Sequence, residues 1–288
     1  MLTAEEKQRQ LENAAASDLV RQRDPDRYWS ALFAPASKRA SLFALYAYNA
    51  EIAHIAAAVH EPMVAQIRLQ WWRDAIDLAA PGTKTGNPVA DALGAAISEH
   101  SLSKERLIDM ADARIPEICG DPPADIQALR ASLQAAEGTV FELGAAILGD
   151  RSEAAKKAAS YAGLAYGLTQ TLRTVPLQAS RRKLMLPHSY LESRGADLAA
   201  LYRGKTNAAL GAALADLRGA ANRALQQFRS VAPQLDPAAL PAFLPLTLVK
   251  PYLKAMAAPS FNPLQTAVTL NPARRFWRIW RAARRQAI

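Results

Sequence analysis

Arg173 and the run Ser180-Arg181-Arg182-Lys183-Leu184-Met185-Leu186-Pro187 hold the side chains whose chemistry is easiest to state. Guanidinium groups grip phosphate oxygens in a forked geometry and an ammonium adds a point charge. Arg173, Arg181, Arg182 and Lys183 therefore form a candidate phosphate or headgroup site that needs no metal. The plainer alternative makes 181–183 a solvated basic loop and pairs Arg173 with an acid on a helix surface. Carboxylate pairs occur at Asp74 with Asp77, Asp109 with Asp112, and Glu137 with Glu142. Spacings of this kind belong to solvated helix faces and surface ion pairs. His54, His60, His100 and His188 form no H-E-x-x-H set, and the chain has no Walker A loop, no G-x-G-x-x-G turn and no G-x-S-x-G elbow.

These residues must be positioned by helices. Half of the 288 residues are apolar, alanine supplies an unusually large share, and no regular alternation marks a strand, so the expected class is all-α. Prolines fall mostly between apolar helical runs, which places helices near 3–21, 37–59, 63–79, 88–100, 103–117, 125–148, 152–175, 207–230, 239–256 and 272–286. Pro245 and Pro251 predict a kink in the run 239–256. Trp71 and Trp72 are read as core packing and a helix-surface anchor. The simplest partition is an N-terminal helix (1–22), one helical domain (23–260) and a C-terminal arm (261–288).

The single Cys119 excludes an internal disulfide and any cysteine-built metal site. The N-terminus is charged from its fifth residue, unlike a secretory signal, and no stretch offers about twenty uninterrupted apolar residues. Net charge is +9, unevenly spread: residues 173–288 carry 18 Lys/Arg against 4 Asp/Glu, whereas 1–172 carry 17 against 22. Such asymmetry predicts an anionic partner for the C-terminal portion. Charge without a groove-binding motif does not point to nucleic acid.

The arm has its own pattern. Asn271-Pro272 reads as an N-cap followed by proline at the first helical position. At 100° per residue Arg274, Arg278, Arg281 and Arg285 form one stripe, Phe276, Ile279, Trp280 and Ala283 lie opposite, and Trp277 and Arg284 flank the edge. This suits an interfacial helix on an anionic membrane surface, and it equally suits docking of Phe276, Ile279 and Trp280 into the protein's own core.

Two segments, PASKRASLFALYAYNAEIAHIAAAV (35–59) and YAGLAYGLTQTLRTVPLQASRRKLMLP (161–187), resemble the active-site helices of the squalene/phytoene synthase family. That resemblance implies an isoprenoid-synthase-like single helical domain with a central cavity. It also implies magnesium held by aspartates on two facing helices. Here the first aspartate pair falls on Ala53 and Ala57, on a face shared with Leu42, Tyr46, Asn49 and His60, with Glu51 opposite. The second falls near Thr174 and Leu177 or Gln178, with Gln170 where the family commonly has Asn and with Pro176 expected to end the helix. Alanine cannot bind a cation, so no metal site and no catalytic residue are expected. The cavity is expected to be lined by Tyr46, Asn49, Ala53, Ala57, Gln170, Arg173 and Thr174.

Within the family, FALYAYNAEIAHI (43–55), RLQWWRDAI (68–76), LRTVPLQASRRKLMLP (172–187) and PAFLPLTLVKPYL (241–253) are similar to the branch of respiratory complex I assembly factors that lacks the aspartates. This resemblance implies a non-catalytic protein acting in complex I assembly, cytoplasmic and peripheral to the inner membrane. Its partners would be a complex I subunit or assembly intermediate, an anionic membrane surface and an isoprenoid or other lipid. The alternative implied by the wider family is a magnesium-dependent transferase condensing prenyl diphosphates.

Overall fold

The computed structural model describes residues 3–58, 61–265 and 267–288. The expected helix end at Val59, and His60 with it, lie outside the described residues. Among those described there are helices and turns and no strands. In chain order they are α1 (Ala4–Arg23), α2 (Pro25–Ala31), α3 (Ala36–Ala58), α4 (Pro62–Asp77), α5 (Pro88–His100), α6 (Lys104–Asp112), α7 (Ile115–Cys119), α8 (Ile126–Leu133), α9 (Thr139–Ile147), α10 (Glu153–Ser180), α11 (His188–Ser193), α12 (Leu198–Tyr202), α13 (Ala208–Val231), α14 (Leu240–Phe243), α15 (Val249–Met256) and α16 (Pro272–Arg285). No helix among the described residues is long and apolar enough to cross a membrane.

Local sequence chemistry explains most helix starts. Orphan amides of the first turn need an acceptor, and a short polar side chain at the N-cap supplies it. Thr3 and Glu6 form a reciprocal capping box on α1. Asn87 before Pro88, Ser152 before α10, Asn207 before α13 and Asn271 before Pro272 each accept from first-turn amides. Asp24 does the same before Pro25, accepting from the Arg27 amide.

Several boundaries differ from the sequence expectation. The short helices α2, α11 and α12 fall in regions read as connections. The run 103–117 divides at Ala113–Arg114, and Pro116 opens α7. The run 239–256 becomes α14, a 3₁₀ turn at Leu244–Leu248 and α15, because Pro241 and Pro245 each start a new turn. Pro176 does not end α10, which continues to Ser180. An interior proline costs about 3 kcal/mol in a free helix. Here Val175 and Ala179 are buried on either side of it, and tertiary packing holds the axis.

α10 is the central element, packed against α13, α9 and the turn that precedes α9, while α3 packs against α1, α5 and α9. Trp72 is buried against Tyr48, whose hydroxyl donates to the Leu107 carbonyl at 2.6 Å, and Trp71 remains partly exposed. Between α8 and α9 the chain makes a π-helical turn, Gln134–Gly138, so the expected helix 125–148 is one rod with a wide turn inside it. Such a turn adds a residue and re-aims the side chains around it. The turn approaches α10 backbone to backbone: a Cβ on Gly163 would lie 2.4 Å from the Gly138 Cα.

Gly163→Ala is expected to lower stability by about 3 kcal/mol or more, the upper end of overpacking costs, because a backbone cannot step aside as a side chain can. Gly211→Ala, on an exposed face of α13 with nothing near its added methyl, is expected to raise stability by about 0.5–1 kcal/mol. Denaturant melts of the two variants check this contrast.

Candidate functional site

Three chambers open between α3, α7, α8, the π turn and α10, with α2 and α16 closing one end. Their volumes are about 450, 510 and 500 Å³. Shared walls make them one groove. Arg114, Glu137 and Gln170 line both the first and the third, Thr174, Gln178 and Met185 line the first and second, and Ala57 lines the second and third. The first two chambers are largely apolar, with Pro122, Ala128, Leu133 and Gly167 in one and Ala56 and Leu177 in the other. The third is polar and holds five arginines against three carboxylates.

Arg27 is the centre of the polar chamber. Its side chain is only 3% exposed and donates to Asp24 at 2.9 Å and Glu137 at 2.8 Å. Three rings surround the guanidinium, Tyr166 at 4.8 Å, Phe141 at 5.5 Å and Tyr46 at 5.7 Å from centroid to Cζ. Rings of this kind attract a desolvated cation through their π faces. Glu137 also accepts from Arg114 at 3.4 Å, and Arg114 reaches Asn49 at 3.3 Å. Burial alone would raise the Glu137 carboxyl, but Arg27 and Arg114 overcome that and hold it below the ordinary glutamate range. Burial pushes the Asp26 carboxyl up, with Arg275 at 2.7 Å opposing it. Arg275 also stands over the Trp29 ring at 5.6 Å.

Asn49, Ala53, Ala57, Gln170, Arg173 and Thr174 all line the groove. Tyr46 does not: it is buried beneath Arg27, which covers it from the chamber. The four basic residues expected to act together do not converge. Arg173 faces the polar chamber, stacked over Tyr252 at 3.8 Å and donating to Gln170 at 2.6 Å, rather than pairing with a surface acid. Arg181 and Lys183 lie by the second chamber, where each donates to a backbone carbonyl, of Ala57 at 2.9 Å and of Ile118 at 3.2 Å. Arg182 lines none of these chambers; it sits exposed, at φ 56°, in the turn after α10.

Glu137 is not on the solvated face expected of it, because the π turn rotates it inward to Arg27 and Arg114. Glu142 does form a partly exposed pair, with Arg106 at 2.8 Å. In the arm, Ile279 is fully buried, whereas Phe276, Trp277, Trp280, Arg274, Arg278, Arg281 and Arg285 are exposed. Phe276 and Trp280 therefore stay largely outside the core that the second reading of the arm required them to enter: Ile279 and Ala282 are buried in it, Ala283 packs against it partly buried, and Phe276 meets the Trp29 ring edge-on at 5.8 Å.

Sequence reasoning missed Asp24, Asp26, Arg27, Arg114, Glu137, Tyr166 and Arg275. One signal was available: Asp24-Pro25-Asp26-Arg27 joins a capping aspartate, an N1 proline and two further charges directly before Tyr28 and Trp29. The magnesium implied by the synthase resemblance would need hard oxygen ligands. Ala53 and Ala57 offer none, the Thr174 hydroxyl is bonded to the Gln170 and Thr171 carbonyls, and the Gln178 amide to Thr174 and the Met185 amide. Asp24, Asp26 and Glu137 are each held by an arginine. Among the described residues no group of three His, Cys, Asp or Glu side chains is placed to hold a metal ion. This donor set does not fit a magnesium site.

Glu137→Gln leaves Arg27 and Arg114 short of a buried negative charge, and a loss of about 3–5 kcal/mol is expected. A folded-state pKa below the unfolded value gives a contribution that is present above the unfolded pKa and lost as pH falls through the folded one. The stability gap between the native protein and E137Q should therefore be widest near neutrality and narrow on acidification below about pH 4.5, the ordinary glutamate value. Melts of both proteins across that range check it.

The model of a family described as squalene/phytoene synthase matches residues 20–281. Over 268 residues the chain is 30% identical to a Bos taurus protein named NADH dehydrogenase (ubiquinone) complex I, assembly factor 6, with 92% of this chain and 80% of that protein covered. The Homo sapiens protein of the same name is 29% identical with the same coverage. The fold superposes on a crystal structure of a dehydrosqualene synthase in complex with ligand, with a TM-score of 0.82 over 97% of each chain at 15% identity. The helical frame, the groove between its two long helices and the near full-length match together establish that this chain belongs to the squalene/phytoene synthase family, in the branch that contains the complex I assembly factor 6 proteins.

Proposed function

We propose that this protein is a non-catalytic member of its family that acts in the assembly of respiratory complex I, peripherally at the membrane, with no metal cofactor. The observation that carries the non-catalytic reading is the fate of the carboxylates in the groove. Prenyl diphosphate chemistry needs cations held beside a departing diphosphate, and carboxylates are the usual means of holding them. In this groove Asp24, Asp26 and Glu137 are bound to arginines, and alanines stand where the first aspartate pair would be. The assembly role is supported by the names of relatives that align with nearly the whole chain. The partner is then a complex I subunit or an assembly intermediate.

The groove keeps a use in this reading. Two apolar chambers suit an isoprenoid or acyl chain, and the polar chamber, with arginines in excess, suits an anionic headgroup. Arg173 is the best-placed contact, since its partners are the Gln170 amide, the Val268 carbonyl at 3.4 Å and the Tyr252 ring rather than a carboxylate.

A strain without the gene should lose NADH:quinone oxidoreductase activity and accumulate complex I subassemblies. Purified protein given magnesium with farnesyl or geranylgeranyl diphosphate should release no diphosphate. Full oxidoreductase activity in the deletion strain, or sustained turnover of either diphosphate, overturns the reading. Native mass spectrometry of protein purified under mild conditions should find an anionic lipid. Arg173→Ala should lower its occupancy about tenfold, the equivalent of one charge-assisted hydrogen bond.

A further inference from the structure

α16 is attached to the domain by one face only. It packs on α2 and on the 244–248 turn through Ile279 and Ala282, both buried, and through Arg275, which pairs with Asp26. The rest of its circumference is in the open and is divided in two. One strip is aromatic, with Phe276 41%, Trp277 51% and Trp280 42% exposed. The other holds Arg274, Arg278, Arg281 and Arg285, all exposed, while exposed Arg284 falls by helical spacing between Trp280 and Trp277, where its long stem can carry the guanidinium outward. Arg281 lies 5.1 Å from the Trp277 centroid at the seam between the strips. Phe276 meets the Trp29 ring edge-on at 5.8 Å, yet about half of each of the three side chains stays in water, and exposed apolar area gathered on one helix in this way marks an interaction surface.

We propose that the exposed side of α16 is a bilayer-binding surface specific for anionic lipid, and that it works with the helix still docked. Charge complementarity selects this occupant. Residues 237–288 contain no Asp or Glu and eight Lys or Arg, six of them in α16. The layered order of the helix selects it as well. A bilayer interface places phosphates directly above an acyl boundary, so a helix lying flat sets indole and phenyl rings below and guanidinium groups at phosphate level. Nucleic acid would accept the arginines but has no apolar layer for Phe276 and Trp280.

Docking gives the surface a direction. Arg275, on the attached face, forms part of the wall of the polar chamber beside Asp26. A bilayer bound to the opposite side of the same helix therefore lies one helix diameter, about 10 Å, from the chamber that suits an anionic headgroup. This inference extends the peripheral location proposed above, but its readout is separate. Vesicle binding can fail while the deletion phenotype stands, and the reverse also holds.

The test is cosedimentation of the full-length protein with vesicles of phosphatidylcholine alone and of phosphatidylcholine with phosphatidylglycerol. Removal of residues 271–288 would uncover the site filled by Ile279, so exposed side chains are changed instead. The native protein should bind the anionic vesicles, bind neutral ones at least about tenfold more weakly, and shift its tryptophan emission to the blue on binding. W277S/W280S and R278Q/R281Q should each weaken anionic binding by about tenfold or more, with melting temperatures close to the native value. The charge pair serves as the second variant should the aromatic one fold poorly. Absence of binding to anionic vesicles, equal binding to neutral ones, or native-like binding by R278Q/R281Q overturns the proposal.

Discussion

A buried guanidinium is tolerable only when anions and donor-accepting surfaces replace the water it has left, and Arg27 imposes that condition on the whole chamber end of this molecule. Asp24 and Glu137 supply the charge, and Tyr46, Phe141 and Tyr166 supply the rings. Asp24 caps α2, the helix that carries Arg27, and the other suppliers each bring an element of their own: Tyr46 belongs to α3, Tyr166 to α10, Phe141 to α9 and Glu137 to the π turn. Four elements are thus tied to one side chain. Glu137 carries the arrangement further to Arg114, and Asp26 on α2 carries it to Arg275 and so to α16. The C-terminal helix is positioned by a chain of ion pairs that starts in the centre of the fold.

The groove has its shape because of two different uses of small residues. Gly163 and Gly138 bring α10 and the π turn into backbone contact, and the residue before Gly138 in that turn, Glu137, accepts from Arg27. Gly167, one turn further along α10, meets Leu133 instead and leaves the first chamber open beside it. Ala53 and Ala57 do for α3 what Gly167 does for α10, keeping side-chain volume out of the groove where longer acidic side chains would project. The family's helical frame therefore keeps an open groove, in which Asp24, Asp26 and Glu137 are each paired to an arginine and further arginines are left in excess.

Much of this was legible in sequence. Helix starts at Ser152, Asn207 and Asn271 follow from capping chemistry, and the class follows from alanine content and proline placement. Asn49, Ala53, Ala57, Gln170, Arg173 and Thr174 fall on the groove because helical periodicity and the family resemblance assign a face correctly. Tyr46 failed because periodicity gives the face of a helix and not what lies over it. Pro176 failed because local propensity is overridden when the flanking residues are buried in a packed helix. Glu137 failed because a π turn leaves no mark in composition, and one added residue is enough to carry a side chain from water to the core.

The sequence by itself determined the elements, the amphipathic order of the arm and the absence of carboxylates at positions 53, 57 and 174, since these depend only on residue type and on short-range geometry. Only the tertiary structure decided which charges meet. Arg27 and Glu137 are 110 positions apart, and Asp26 and Arg275 are 249 apart. Pairing over such separations depends on how helices stack, through contacts as specific as one glycine against another, and no local pattern encodes it. The same holds for the arm, where the helical pattern fixes the faces and only packing against α2 settles that Ile279 is inside and Trp277 outside.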